Sequence, residues 1–450
     1  MNRSVSRLLP RIYKILQTRH LVPVVIFAGI LCLTFWIRVQ SSSRIPDGQF
    51  TSPDAYFYYW QAQLISEHEH LPERDMLRWL PIGRDLGQIL NLYGYVLAYV
   101  HKAVVLVFPS VTLYRVALYM PSVCFCIGLG ALCLFLYHTY GFLFSSVVGV
   151  LLTTLPGSIG RSAVGFADRD SWCLLLGILA VTTYLAFLQA QSFRNRFLWT
   201  LTSGGFMFLG GMSWEAFGVF GSIILIVEIW RFLSSETEEG FGYYILWVCA
   251  FVPTLYLASP AYRSGYGFAE HLFAFMLVPP GVFLGIRALR HLLLSNVEKL
   301  RAHARLLALG LTLAGITIAL FYVYIQLDSF VYTTVLLNQN TLMQTVAELQ
   351  APRLRFWIFR YGSVFILGSI GFIIAHKKIG HPTFMLSPFT LFALTTFFRE
   401  PFEKYLWNAS QNTLFFSLIV ACCAIAFLLA VVRQKSSQPH APIIVVVVQC

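Results

Sequence analysis

The chain has 450 residues, 57% of them hydrophobic and 16% aromatic but only 12% charged, with a formal net charge of +12. That balance excludes an ordinary soluble globular protein. Apolar runs of about 17–25 residues, each able to cross a hydrocarbon core as a helix, follow one another along most of the length and point to a polytopic membrane protein. The expected fold class is all-α: a transmembrane helical bundle of about twelve spans, with a long external first loop carrying surface helices.

Residues 1–19 hold Arg3, Arg7, Arg11, Lys14 and Arg19 and no acid, which places them in the cytoplasm by the positive-inside rule. A first span over His20–Val39 follows and lacks the small-residue cleavage site of a signal peptide. The external loop at 40–112 opens with many charges, and its second half, Leu90–Phe108, carries His101, Lys102 and several tyrosines and reads as a helix on the membrane surface. Further spans are expected near Leu113–Tyr137, Phe142–Leu155, Ser171–Ala190, Phe197–Ser213, Ala216–Phe232, Phe241–Ser259, Glu270–Gly285, Leu306–Leu327, Phe356–Ala375, Thr383–Phe398 and Gln411–Val432. The transmembrane domain is thus 20–432, with further external loops at 156–170 and 328–355 and a short tail at 433–450 that reads as the start of another span.

On this topology the short basic loops, with Arg194 and Arg196, Arg287 to Arg305, Lys377 and Lys378, and Arg433 and Lys435, all fall inside. The whole formal charge of +12 then lies on one face, and the acids and bases of the other face cancel. Every cysteine except Cys450 lies in an apolar run without zinc-type spacing and reads as a small packing residue.

The densest charge outside the basic loops is Arg161-Ser-Ala-Val-Gly-Phe-Ala-Asp168-Arg-Asp170, just before a span. A helix N-terminus favours one capping acid, but a cap accounts neither for the second carboxylate nor for Arg161. Asp54, Asp168, Asp170 and Glu348 all fall on the outer side, and carboxylates gathered from several loops suit a hard cation such as Mg²⁺ or Mn²⁺. Taken alone, Asp54 and Glu348 are equally well explained as solvated loop acids. Arg161 and Arg399 have the guanidinium fork that suits a phosphate or diphosphate, or else they snorkel from helix ends. Glu215 beside Trp214 reads as an interfacial pair, and the Glu-His-Glu-His run at 67–70 as an exposed polar loop. Of two glycosylation-type triplets, Asn2-Arg-Ser4 and Asn408-Ala-Ser410, only the second is outside.

These motifs together resemble the catalytic subunits of oligosaccharyltransferase, in particular the prokaryotic single-subunit type with the C-type glycosyltransferase superfold. Asp54 followed by Tyr56 matches the family's first-loop motif; Arg161, Gly165, Asp168 and Asp170 match its second-loop motif; Thr345 to Glu348 match its short Thr/Ser-x-x-Glu motif; Arg399 matches a late arginine. The resemblance implies transfer of an oligosaccharide from a polyprenyl or dolichyl diphosphate carrier to asparagine of an acceptor polypeptide. Asp54, Asp168, Asp170 and Glu348 would hold Mg²⁺ or Mn²⁺, Asp54 and Glu348 would engage the acceptor amide, Arg161 would balance the carboxylates, and Arg399 would hold acceptor or diphosphate.

The sequence departs from the family pattern in having no Trp-Trp-Asp motif. The expectation is either a truncated chain or a short natural form that needs a partner, such as a separate chain supplying the C-terminal globular domain, or uses another acceptor. Membrane lipid is an expected partner and nucleic acid is not, and the expected place is a prokaryotic plasma membrane with the site on its outer face. Two other readings stay open: a lipid-linked sugar transferase with a lipid or hydroxyl acceptor, and an inactive truncated relative. A transporter fits less well, because its ionisable groups belong near mid-membrane.

Overall fold

The structure is a computed structural model that describes residues 5–238, 240–264, 272–325 and 352–362, with 364, 367 and 368. Its helices in chain order are α1 (Val5–Val39), α2 (Pro53–His68), α3 (Leu92–Val105), α4 (Leu113–Tyr140), α5 (Phe142–Thr154), α6 (Pro156–Ser162), α7 (Asp170–Gln189) and α8 (Phe193–Gly211). They continue as α9 (Gly218–Ser234), α10 (Phe241–Ala258), α11 (Ala261–Ser264), α12 (Val278–Asn296, entered through a π-helical turn at Phe273–Leu277), α13 (Glu298–Arg301), α14 (Ala304–Ile325) and α15 (Leu354–Tyr361). Among the described residues the only sheet is one antiparallel ribbon of β1 (Arg74–Asp75) and β2 (Arg84–Asp85). The protein is therefore all-α.

Among the described residues, five helices are long and apolar enough to cross a membrane, six if the bent pair α5 and α6 forms one span. Many of their outward side chains are apolar, as on α1, where Leu21, Val24, Val25 and Trp36 are exposed. A bundle with hydrocarbon on its outside has lipid for solvent, and the chain is a multi-pass membrane protein. The expected spans Thr383–Phe398 and Gln411–Val432 lie outside the described residues.

The chain divides into two compact units, Met1–Gly221 with Ile245–Pro280 and Ser222–Tyr244 with Gly281–Cys450. In the first, α7 packs against α4 and α8. Gly128 permits the approach, since a Cβ there would sit 3.4 Å from Leu175 Cα. The loop helices α2 and α3 lie over α4, with Ala55, Tyr58, Tyr93, Leu97, Ala117, Val164 and Ala167 in one buried cluster. Pro53 starts α2 in the first helical position, where its missing N–H leaves no bond unmade. A helix does form within Leu90–Phe108, as α3.

The segment expected as a plain loop at 156–170 begins instead with α6, turned 63° from α5 at Leu155-Pro156. Proline lacks the N–H that a helix interior uses but suits the first turn, and it favours an extended preceding residue, as Leu155 is here. Arg38 ties the end of α1 to this corner. It is fully buried, donates to Ser162 Oγ (2.7 Å), Ser158 Oγ (3.1 Å) and the carbonyls of Thr34 and Thr153 (3.2 Å each), and lies 3.8 Å from the Phe125 ring centroid.

In the second unit, Arg287 and Arg290 are not loop cations, as the basic cluster had suggested, but buried residues of α12. Arg287 pairs with Glu228 and Glu238, and Arg290 with Glu238 (2.9 Å). A buried charge with a hydrogen-bonded counter-charge can stay inside a helix that an unpaired one would terminate.

Candidate active site

The candidate site gathers where α2 starts, α6 ends and α7 starts. Gly165 holds the strands of chain together there. Its φ is +91°, its N–H donates to the Leu118 carbonyl (3.0 Å), and its carbonyl accepts from Thr51 N–H (2.9 Å). A Cβ at Gly165 would sit 2.5 Å from Ile45 Cδ1, so only glycine fits both the conformation and the space. Residues from the first loop, α4 and the second loop thus meet at one backbone position.

Asp170 is the first residue of α7, and Arg161, in the last turn of α6, donates to it at 3.0 Å. Ser171 Oγ donates to the Arg161 carbonyl at 3.1 Å, which fixes α6 against α7. Asp168 is only 6% exposed and accepts from the N–H of Arg169 at 2.6 Å. Burial pushes its carboxyl up to about 7, with Asp170 and, more weakly, Asp54 adding to the rise. Asp54 stands exposed in the first turn of α2. Neither aspartate acts as the N-cap of α7: Arg169 occupies that position and makes no side-chain cap bond.

Sequence reasoning missed Arg169 and misjudged Glu215. Arg169 forms an ion pair with Glu215 at 2.6 Å, donates to the Ser213 carbonyl at 3.2 Å, and lies 5.5 Å from the Tyr58 ring centroid. Burial opposes the charge on Arg169, and the ion pair with Glu215 favours it. Trp172 Nε1 donates to Ser213 Oγ at 3.0 Å, closing the junction between α7 and the chain after α8. The available signal was the acid Glu215 just beyond an apolar segment, with no basic residue near it in sequence. The Glu-His-Glu-His run is exposed at the end of α2, as expected.

Asp54, Arg161, Gly165, Asp168 and Asp170 thus come together, although they belong to two loops. Glu348 and Arg399 lie outside the described residues. Within the described residues, no three His, Cys, Asp or Glu side chains form a metal-binding group.

The family described as "Oligosaccharyl transferase STT3, N-terminal" matches residues 21–432. The chain belongs to this family. Its fold is similar to that of the archaeal oligosaccharyltransferase AglB from Archaeoglobus fulgidus in complex with an inhibitory peptide and a dolichol-phosphate, with a TM-score of 0.59 at 15% identity over 92% of this chain and 50% of that one. The same organism's enzyme in complex with Zn and sulfate gives a TM-score of 0.58 at 15% identity over 92% and 53%. Tethered to an acceptor peptide containing the NVT sequon, it gives 0.58 at 14% identity over 90% and 49%. The chain therefore spans about half the length of the solved STT3-type structures it resembles. Compared by sequence with curated proteins, it has no significant match.

Proposed function

We propose that this chain carries the transmembrane catalytic part of an oligosaccharyltransferase, which moves an oligosaccharide from a polyprenyl or dolichyl diphosphate carrier to the side-chain nitrogen of an acceptor asparagine. The observation that carries the reading is Asp168: a buried carboxyl beside Asp170 and within the field of Asp54. Carboxylates that oppose one another's ionisation are the donor set of a site that takes a cation. Their chemistry is all-oxygen, which fits Mg²⁺ or Mn²⁺ better than a soft metal. Support for lipid and peptide partners comes from the archaeal enzyme, solved with a dolichol-phosphate and with an acceptor peptide.

In this reading Asp54, Asp168, Asp170 and Glu348 hold the ion. When bound, it supplies positive charge and Lewis acidity at the diphosphate leaving group. Arg161 fixes the Asp170 carboxylate through its 3.0 Å bond and offsets part of the crowded negative charge. Asp54 and Glu348 accept the amide N–H groups of the acceptor, which draws its lone pair out of conjugation and aims it at the anomeric carbon. Arg399 holds acceptor or diphosphate. The displacement inverts the anomeric centre, on the outer face of a prokaryotic plasma membrane.

The test is transfer to a fluorescent Asn-x-Thr peptide in detergent, with lipid-linked oligosaccharide and Mn²⁺. Product that requires the metal and disappears in Asp168→Ala, with the thermal midpoint retained, is the expected result. Metal-independent transfer, or transfer at the wild-type rate by Asp168→Ala, overturns the assignment.

A further inference from the structure

One face of α2 carries three polar side chains in succession, Asp54, Tyr58 and Gln61, at spacings of four and three residues that align on a helix. Only Asp54 is exposed; Tyr58 is 4% exposed and Gln61 fully buried. Packing holds the Tyr58 ring in place, edge-on to Tyr93 at 5.3 Å and with the Arg169 guanidinium 5.5 Å from its centroid. Its hydroxyl makes no hydrogen bond among the described residues. A tyrosine whose ring is packed and whose O–H has no protein partner leaves that hydroxyl for water or a ligand. Here the ring is fixed and the hydroxyl is unclaimed.

What surrounds that hydroxyl is the carboxylate site. Tyr58 lies within electrostatic reach of Arg169, Asp168, Glu215 and Asp54, and as a neutral phenol it has an O–H to donate. Asp54 and Asp168 are committed to the cation in the proposed function, and Arg169 is held by Glu215 and Ser213. The group still unmatched there is an acceptor for a neutral O–H, and a phosphoryl oxygen is one. A donor aimed at the acceptor's amide carbonyl would instead strengthen amide conjugation and slow attack.

We infer that Tyr58 is a further catalytic residue, whose hydroxyl donates a hydrogen bond to an oxygen of the carrier's diphosphate and tightens as charge develops on that leaving group. The inference rests on the transferase reading of the same site. As a neutral donor on a ring that packing holds in place, the hydroxyl needs little reorganisation when the charge appears.

The test is Tyr58→Phe in the full chain, with lipid-linked oligosaccharide and Asn-x-Thr peptide varied separately. Loss of one hydrogen bond to a charged oxygen lowers turnover about 10- to 100-fold. The acceptor KM stays unchanged, the thermal midpoint stays at the wild-type value, and inhibition by inorganic pyrophosphate with Mn²⁺ weakens about 10-fold. Wild-type turnover in Tyr58→Phe, or a loss confined to the acceptor KM, overturns the inference while the transferase reading stands. So does a lost midpoint with unchanged pyrophosphate inhibition, which would make Tyr58 a packing residue. A folded wild-type chain that forms no product overturns the transferase reading and this inference with it.

Discussion

At the scale of single residues, the protonation of Asp168 is the most informative quantity. In the folded, metal-free chain it ionises near pH 7, against 3.8 for an ordinary aspartate, because it is buried and faces Asp170. Between those values the folded chain holds a proton that the unfolded chain has released. The stability this group provides is therefore full below its unfolded pKa and lost as pH rises through about 7. With chelator present, the thermal midpoint should fall between pH 5 and pH 8, and Asp168→Asn should flatten that fall. Mn²⁺ at pH 8 should restore the wild-type midpoint and leave the Asn variant unmoved, as read by intrinsic tryptophan fluorescence. An equal pH slope in both proteins would remove Asp168 as the titrating group. The residues of this motif were legible because their types and spacing are local. Arg169, Glu215 and Tyr58 were not, because their meeting depends on how α2, α7 and the chain after α8 pack.

At the scale of elements, run length and apolarity located most of the helices, since a span must satisfy its own backbone and show hydrocarbon side chains outward. They failed where an element is short. α6 has seven residues, two of them glycine, and Pro156 was its one strong sign. Nor does sequence indicate that the corner it forms is held by Arg38, a cation that pairs with no carboxylate among the described residues and donates to hydroxyls and carbonyls. The junction at Gly165 shows how the elements fix the site. Gly165→Ala forces a Cβ against Ile45 at a positive φ, costs about 1–3 kcal/mol in backbone strain, and loosens the Thr51 and Leu118 bonds that align α2 with α7. The expected outcome is transfer reduced at least 10-fold with Mn²⁺ affinity weakened in parallel, because the carboxylates shift relative to one another. Unaltered Mn²⁺ dependence in this variant would mean that the junction does not set the site.

At the scale of the whole molecule, the net charge of +12 leads to the expectation of one basic face, but it does not say which cations are free to act as topology signals. Arg287 and Arg290 were counted as such and are spent within the second unit on Glu228 and Glu238. Sequence cannot separate the two cases, because the pairing carboxylates sit on α9 and in the turn before α10 and reach α12 only once the unit is folded. The consequence is thermodynamic. Arg287 and Glu228 are both buried, so their attraction offsets a desolvation that either would suffer alone. Arg287→Leu should destabilise the chain by about 3–5 kcal/mol, since it leaves the Glu228 and Glu238 carboxylates short of positive charge in a dry setting. Adding Glu228→Met to that variant should recover part of the loss, because it removes the buried carboxylate while Arg231 gives up its pairing with Glu228. The measurement is a double-mutant cycle of thermal midpoints in one detergent. Additive losses would show that the two residues act separately and that the network is not what holds α9 to α12.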